Sequence, residues 1–198
     1  FRFYGPLNDF LPMALRQRSC AFQFSGQPTL RDAIQAQGVP HTEVDLILVD
    51  GQRRSFEDHL SGYERISVFP KFRTLSLPQG DRLGPPPLTE PRFILDVHLG
   101  KLCRHLRLLG FDTHYRNDFE DAYIIDCAVR EQRMILTRDL GILKQKRVQY
   151  GYFVRATDPP QQINEVLQAL DLAERCSPLT RCINCNGVLA RVSKQRVI

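Results

Sequence analysis

Between Leu77 and Pro87 the chain reads Leu77-Pro78-Gln79-Gly80-Asp81-Arg82-Leu83-Gly84-Pro85-Pro86-Pro87. Six of these eleven residues are proline or glycine, so the run can continue neither a helix nor a central strand. It must separate two folding units. A chain of 198 residues cut there leaves halves that are small but adequate for independent cores. The reading that follows is residues 1–76 as one domain, 77–91 as a semi-extended linker, 92–175 as a second domain, and 176–198 as a short metal-binding tail.

Charge divides at the same place. Residues 1–90 hold ten basic and ten acidic side chains, and 91–198 hold 17 and 12. The whole net charge of +5 therefore belongs to the second half, which is where a polyanion would bind. Hydrophobic residues at 42% and charged residues at 25% suit a globular protein and exclude a disordered tail. No apolar run approaches the ~20 residues that span a bilayer, so no membrane partner is expected. No secretory signal pattern opens the sequence. The six cysteines form no dense framework, which points to a reducing, cytoplasmic setting.

The first half reads strand, strand, helix, strand, strand. Arg2-Phe3-Tyr4 is a short strand, and Cys20 to Phe24 alternates Phe22 and Phe24 on one face as a second. Residues 28–38 form a helix capped by Thr29 and stopped by Gly38. Val44 to Val49 is apolar, Asp50-Gly51 is a hairpin dipeptide, and Arg65 to Phe69 is the last strand.

With Thr29-Leu30, Val49-Asp50-Gly51 and Ile66-Ser67-Val68-Phe69-Pro70 in this order, the half resembles the ubiquitin-like β-grasp sulfur carriers ThiS and MoaD. That resemblance implies an α+β β-grasp fold. Those carriers act through a free Gly-Gly tail, whereas here the matching point continues Lys71-Phe72-Arg73-Thr74-Leu75. The expected role is thus binding a protein partner rather than carrying sulfur.

The second half alternates strands and helices, which implies an α/β domain with a mostly parallel sheet. The strands are Arg92 to Leu95, Thr113 to Tyr115, Met134 to Thr137 and Gly151 to Arg155. The first helix carries Leu99, Leu102, Leu106 and Leu109 at helical spacing, with Lys101, Arg104, His105 and Arg107 off that stripe. The second, Glu120 to Gln132, turns Ile124, Ile125, Ala128 and Val129 inward, with Asp118 and Asp121 spaced as an N-cap and its N3 partner. The third is Pro160 to Leu170.

Ligands of such sheets bind beyond the carboxyl ends of the strands. Asp96 and Asp139 fall at that edge, and Asp121 joins them from the first turn of its helix. Three converging carboxylates repel one another unless a hard cation such as Mg²⁺ or Mn²⁺ lies between them. Such an ion activates water and stabilises charge on a phosphodiester. Each aspartate also has a structural reading: Asp96 as a helix cap, Asp121 as a partner of the helix dipole, Asp139 as a turn residue.

The motifs Phe93-Ile94-Leu95-Asp96, Leu99-Gly100-Lys101-Leu102, Leu106-Arg107-Leu108-Leu109-Gly110-Phe111-Asp112, Asp121 and Ile135-Leu136-Thr137-Arg138-Asp139 occur in order. Together they resemble the PIN-like RNase family named after the C-terminal part of the Mut-seven exonuclease, often found behind a ThiS-like domain. The resemblance implies a PIN-like fold and a metal-dependent endoribonuclease. It also implies that Asp96, Asp121 and Asp139 are metal-binding, catalytic carboxylates and that Lys101, Arg104 and Arg138 contact RNA. Arg107, on the same basic helix, is grouped with them. The RNA classes expected are tRNA and ribosome-associated RNA. The reading from a different class is a non-catalytic RNA- or ribosome-binding adaptor.

Arg181-Cys182-Ile183-Asn184-Cys185-Asn186-Gly187 presents two thiolates on one turn, as a knuckle of a structural Zn²⁺ ribbon does. No second C-x-x-C pair occurs in residues 1–198, so the expectation is a partial ribbon, with Cys176 as a candidate third ligand. A redox role for the pair is the alternative.

Overall fold

A computed structural model describes residues 1–71 and 82–192. Residues 72–75, where a carrier tail would begin, and 77–81 of the linker lie outside the described residues. Two compact units are present: Phe1–Pro87 with Leu140–Gly151, and Leu88–Asp139 with Tyr152–Ile198.

The first unit holds strands β1 (Arg2–Phe3), β2 (Val44–Val49), β3 (Gln52–Arg53) and β4 (Ile66–Pro70), with helix α1 (Leu30–Ala36). The sheet order is β1-β4-β2-β3, with β1 parallel to β4 and the other pairs antiparallel. Thr29 starts α1 through a capping box: its hydroxyl accepts from the Asp32 N–H, and the Asp32 carboxylate accepts from the Thr29 N–H. Gly38, at φ +101°, allows the chain to leave the helix. Asp50 and Gly51 both have positive φ, the conformation a two-residue hairpin requires between β2 and β3. Phe3, Leu30, Ile34, Ile47 and Val68 fill the core.

The expected strand at Cys20 to Phe24 does not form. This stretch is tied to the chain start by a pair of backbone bonds between Phe1 and Cys20 and by a single bridge from Arg2 to Ser19, not by a strand ladder. The alternation of Phe22 and Phe24 has another cause: the two rings stack on each other, and Phe1 meets Phe22 edge-on.

Segment Leu140–Gly151, which contains helix α4 (Leu140–Leu143), packs within this first unit although it follows the strand Met134–Thr137 of the second half in sequence. His41 Nε2 donates to the Val148 carbonyl at 2.9 Å, and its Nδ1 lies 2.8 Å from the Gln35 amide.

The second unit holds β5 (Phe93–Leu95), α2 (Gly100–Leu108), β6 (Thr113–His114), α3 (Asp121–Glu131), β7 (Met134–Thr137), β8 (Gly151–Phe153) and α5 (Pro159–Ala169). The sheet order is β6-β5-β7-β8, and β5 is parallel to both β6 and β7. Phe93, Leu95, Leu99, Leu102, Leu106 and Leu136 are buried in its core, which confirms the leucine stripe of α2. On α3, Ile124, Ile125 and Ala128 face inward as expected, but Val129 is exposed and Cys127 takes the buried position. Gly110 ends α2 at φ +94°, against the Ser177 carbonyl.

Candidate active site

Strand β5 ends at Leu95, and Asp96 follows in extended conformation, donating its N–H to the Leu136 carbonyl of β7 at 3.1 Å. Its carboxylate makes no cap to the short helical turn that follows, which removes the capping reading. The side chain is buried instead, and its Oδ2 accepts from the Thr137 hydroxyl at 2.9 Å. Thr137, the last residue of β7, is wholly buried. Its Oγ1 also accepts from the Asp139 N–H at 2.8 Å. One hydroxyl thus joins the carboxyl ends of two neighbouring strands. Sequence reading passed over Thr137; its signal was a hydroxyl residue ending an otherwise apolar strand.

Asp121 begins α3 and is exposed. The N-cap of α3 is Glu120, without a side-chain bond, and not Asp118 as the spacing suggested. Asp118 is instead held in a two-point pair with Arg116, at 2.9 and 2.7 Å. The Asp121 carboxyl is pushed up by desolvation and then by the charges of Asp139 and Asp96. The three aspartates therefore share one electrostatic neighbourhood. Among the described residues, no three His, Cys, Asp or Glu side chains are gathered into a group that could hold a metal ion. Asp96 and Asp139 follow neighbouring parallel strands and offer carboxylate oxygen, the donor type that hard divalent cations take.

Lys101 and Arg104 lie exposed near the start of α2 and line a groove of about 590 Å³ with Val97, Tyr115, Thr157 and Gln162. Tyr115 donates its hydroxyl to the Val97 carbonyl at 2.8 Å. A Cβ on Gly100 would come within 2.7 Å of that oxygen, so glycine lets the phenol close over the helix start.

Arg107 is not on this surface. It is 6% exposed, and its guanidinium donates to the Thr113, Ile183 and Asn184 carbonyls. The expected phosphate contact is corrected to a structural one: the helical face carrying Arg107 turns toward β6 and the cysteine turn. Arg138 is exposed, and its Nη1 donates to the carbonyls of Val154, Arg155 and Ala156, fastening the chain between β8 and α5.

Cys182 and Cys185 sit on a tight turn, with the Cys182 N–H bonded to the Gly187 carbonyl and the Asn186 N–H to the Cys182 carbonyl. The Cys182 thiol is pulled down by backbone N–H groups of Cys185 and Asn184. Both cysteines are free thiols. Cys176 donates to the Leu172 carbonyl at 3.5 Å and does not supply a third ligand. Asn186 docks the turn onto β6, accepting from the Thr113 N–H at 3.0 Å and donating to Asp112 at 2.8 Å. An edge strand's open N–H is covered in this way.

No helix among the described residues is long and apolar enough to cross a membrane. A family model described as the Mut7-C RNAse domain matches residues 91–198. A second, described as Mut7-C ubiquitin, matches residues 1–76. No curated protein matches the chain, and no solved structure does.

Proposed function

The chain belongs to the Mut7-C RNAse domain family and carries a ubiquitin-like domain ahead of its ribonuclease domain, and from that premise we propose that it is a metal-dependent endoribonuclease. The observation that carries this reading is the tie through Thr137 between Asp96 and Asp139, at the carboxyl ends of parallel strands in that domain.

In this proposal Asp96, Asp121 and Asp139 hold Mg²⁺ or Mn²⁺, which would supply an activated water and charge stabilisation at the phosphodiester. Thr137 keeps the Asp96 carboxylate in one orientation, since it donates to one oxygen and leaves the other to a ligand. The charges that raise the Asp121 carboxyl are those a bound cation would offset. Lys101 and Arg104, exposed on α2, bind phosphates of the RNA strand. The substrate is RNA of the tRNA or ribosome-associated class, in the cytoplasm. The ubiquitin-like unit binds a protein partner. Cys182 and Cys185 are the first half of a Zn²⁺ ribbon, because backbone N–H groups already favour the thiolate at Cys182.

The test is cleavage of total RNA with Mg²⁺, followed by sequencing of the new ends. Cleavage should disappear with EDTA and in Asp139→Asn. Undiminished cleavage by that variant would overturn the site. Binding of RNA without cleavage by the wild-type chain would replace the enzyme with an adaptor.

A further inference from the structure

Three rings gather beside α3 without joining the apolar core. The imidazole of His114, the last residue of the edge strand β6, stacks on Phe119, with centroids 5.0 Å apart and planes 5° apart. Tyr123 lies 4.5 Å from Phe119 at 35°, and its hydroxyl is 3.3 Å from His114 Nε2. The Arg116 guanidinium stands 6.0 Å over the Phe119 ring. Tyr123 is 41% exposed. The rings open onto a groove of about 420 Å³ lined by His114, Arg116, Asp118, Phe119, Glu120 and Tyr123.

Aromatic rings usually bury their faces in a core, so a stacked group left at the surface marks a place where something else can stack. Its position narrows the occupant. Strand β6 is parallel to β5 and His114 pairs with Ile94, two residues before Asp96, so the rings lie at the carboxyl edge of the sheet that also carries that aspartate. Asp118 and Glu120 in the lining disfavour a phosphate inside the groove, whereas an uncharged base face is compatible with them. Every nucleobase has a π-face that stacks on aromatic side chains whatever its identity, and only unpaired bases can reach one.

We propose that His114, Phe119 and Tyr123 form a stacking platform for an unpaired base of single-stranded RNA, at the sheet edge that carries Asp96. This rests on the ribonuclease reading and narrows its substrate to single-stranded segments. Arg116, paired with Asp118, holds the loop that carries Phe119.

The experiment is fluorescence anisotropy of a 5′-labelled oligo(A) against the full chain in EDTA, which separates binding from cleavage. The comparison ligands are the same sugar–phosphate chain without bases and a blunt duplex. Tyr123→Ala and Phe119→Ala should each weaken oligo(A) binding by about 5- to 150-fold, the range for loss of one base–aromatic stack. Tyr123→Phe should bind as wild type does, and the abasic chain and the duplex should respond to none of the three. Should Phe119→Ala fail to fold, Tyr123→Ala decides, because its ring is half in solvent. Unchanged oligo(A) binding by Tyr123→Ala overturns the platform, as does an equal loss for the abasic chain. Absence of cleavage by wild type with Mg²⁺, alongside the stacking-dependent binding, would sink the enzyme reading and leave the platform standing.

Discussion

Thr137 Oγ1 donates to the Asp96 carboxylate at 2.9 Å, inside the unit and away from water. The same oxygen accepts the Asp139 N–H at 2.8 Å, so the two aspartates at the sheet edge are set by one side chain. Thr137→Val keeps the shape and removes both bonds. A buried carboxylate left without its donor costs about 1–3 kcal/mol. The urea midpoint should fall accordingly and RNA cleavage should drop further than stability explains, while Thr137→Ser restores both. A Thr137→Val enzyme with wild-type activity would show that Asp96 needs no such orientation.

Lys101 and Arg104 stand apart from Arg107 although all three lie within two turns of α2. Neutralising the first two with glutamine should flatten the salt dependence of single-stranded RNA binding by about 0.7 in log–log slope for each phosphate no longer neutralised. Arg107→Gln should leave the slope alone and destabilise the fold by about 3 kcal/mol or more, because it removes charged bonds to buried carbonyls. Thermal unfolding and binding at several salt concentrations separate the two classes. A slope change on replacing Arg107 would return it to the RNA surface.

Burial, and then the charge of Arg31, lowers the His41 imidazole to about 4 from 6.5. Between those values the unfolded chain takes up a proton and the folded chain does not. Stability from this group is therefore complete above about pH 6.5 and is lost as pH falls toward 4, by about 3 kcal/mol. Urea unfolding of wild type and His41→Gln across this range should diverge by that amount, the wild type falling more steeply. Parallel profiles would contradict the neutral, buried imidazole bonded to Val148.

Gly110 combines positive φ with close approach to the Ser177 carbonyl, which a methyl group would overlap. Gly110→Ala should cost about 2–4 kcal/mol, from backbone strain and overpacking together. Calorimetry on the variant checks this. A melting temperature within a degree of wild type would mean that the segment after α5 gives way.

Local chemistry explains which features were readable in advance. Thr29 with Asp32 and Gly38 marked α1 because caps act within a few residues. Leucine spacing marked α2 because helical periodicity is a property of the backbone. The Cys20 to Phe24 alternation misled because stacked aromatic rings in a loop imitate a strand's period. Arg107 misled because an arginine off the apolar stripe is usually solvated, and only the packing of the cysteine turn against β6 reveals carbonyls waiting for it.

Sequence alone determined that the chain has two parts, that the basic excess lies past residue 90, and that aspartates follow strands there, although Lys144, Lys146 and Arg147 of that excess belong to the first folded unit. Proline, charge and periodicity are each carried by neighbouring residues, so no folded partner is needed to read them. Tertiary structure decided what those residues touch. It joined Asp96 to Thr137 across 41 positions, buried Arg107 against a turn 76 positions on, and returned Leu140–Gly151 to the first unit. Such pairings depend on which strand lies beside which, and hydrogen-bond partners distant in sequence leave no periodic trace in it.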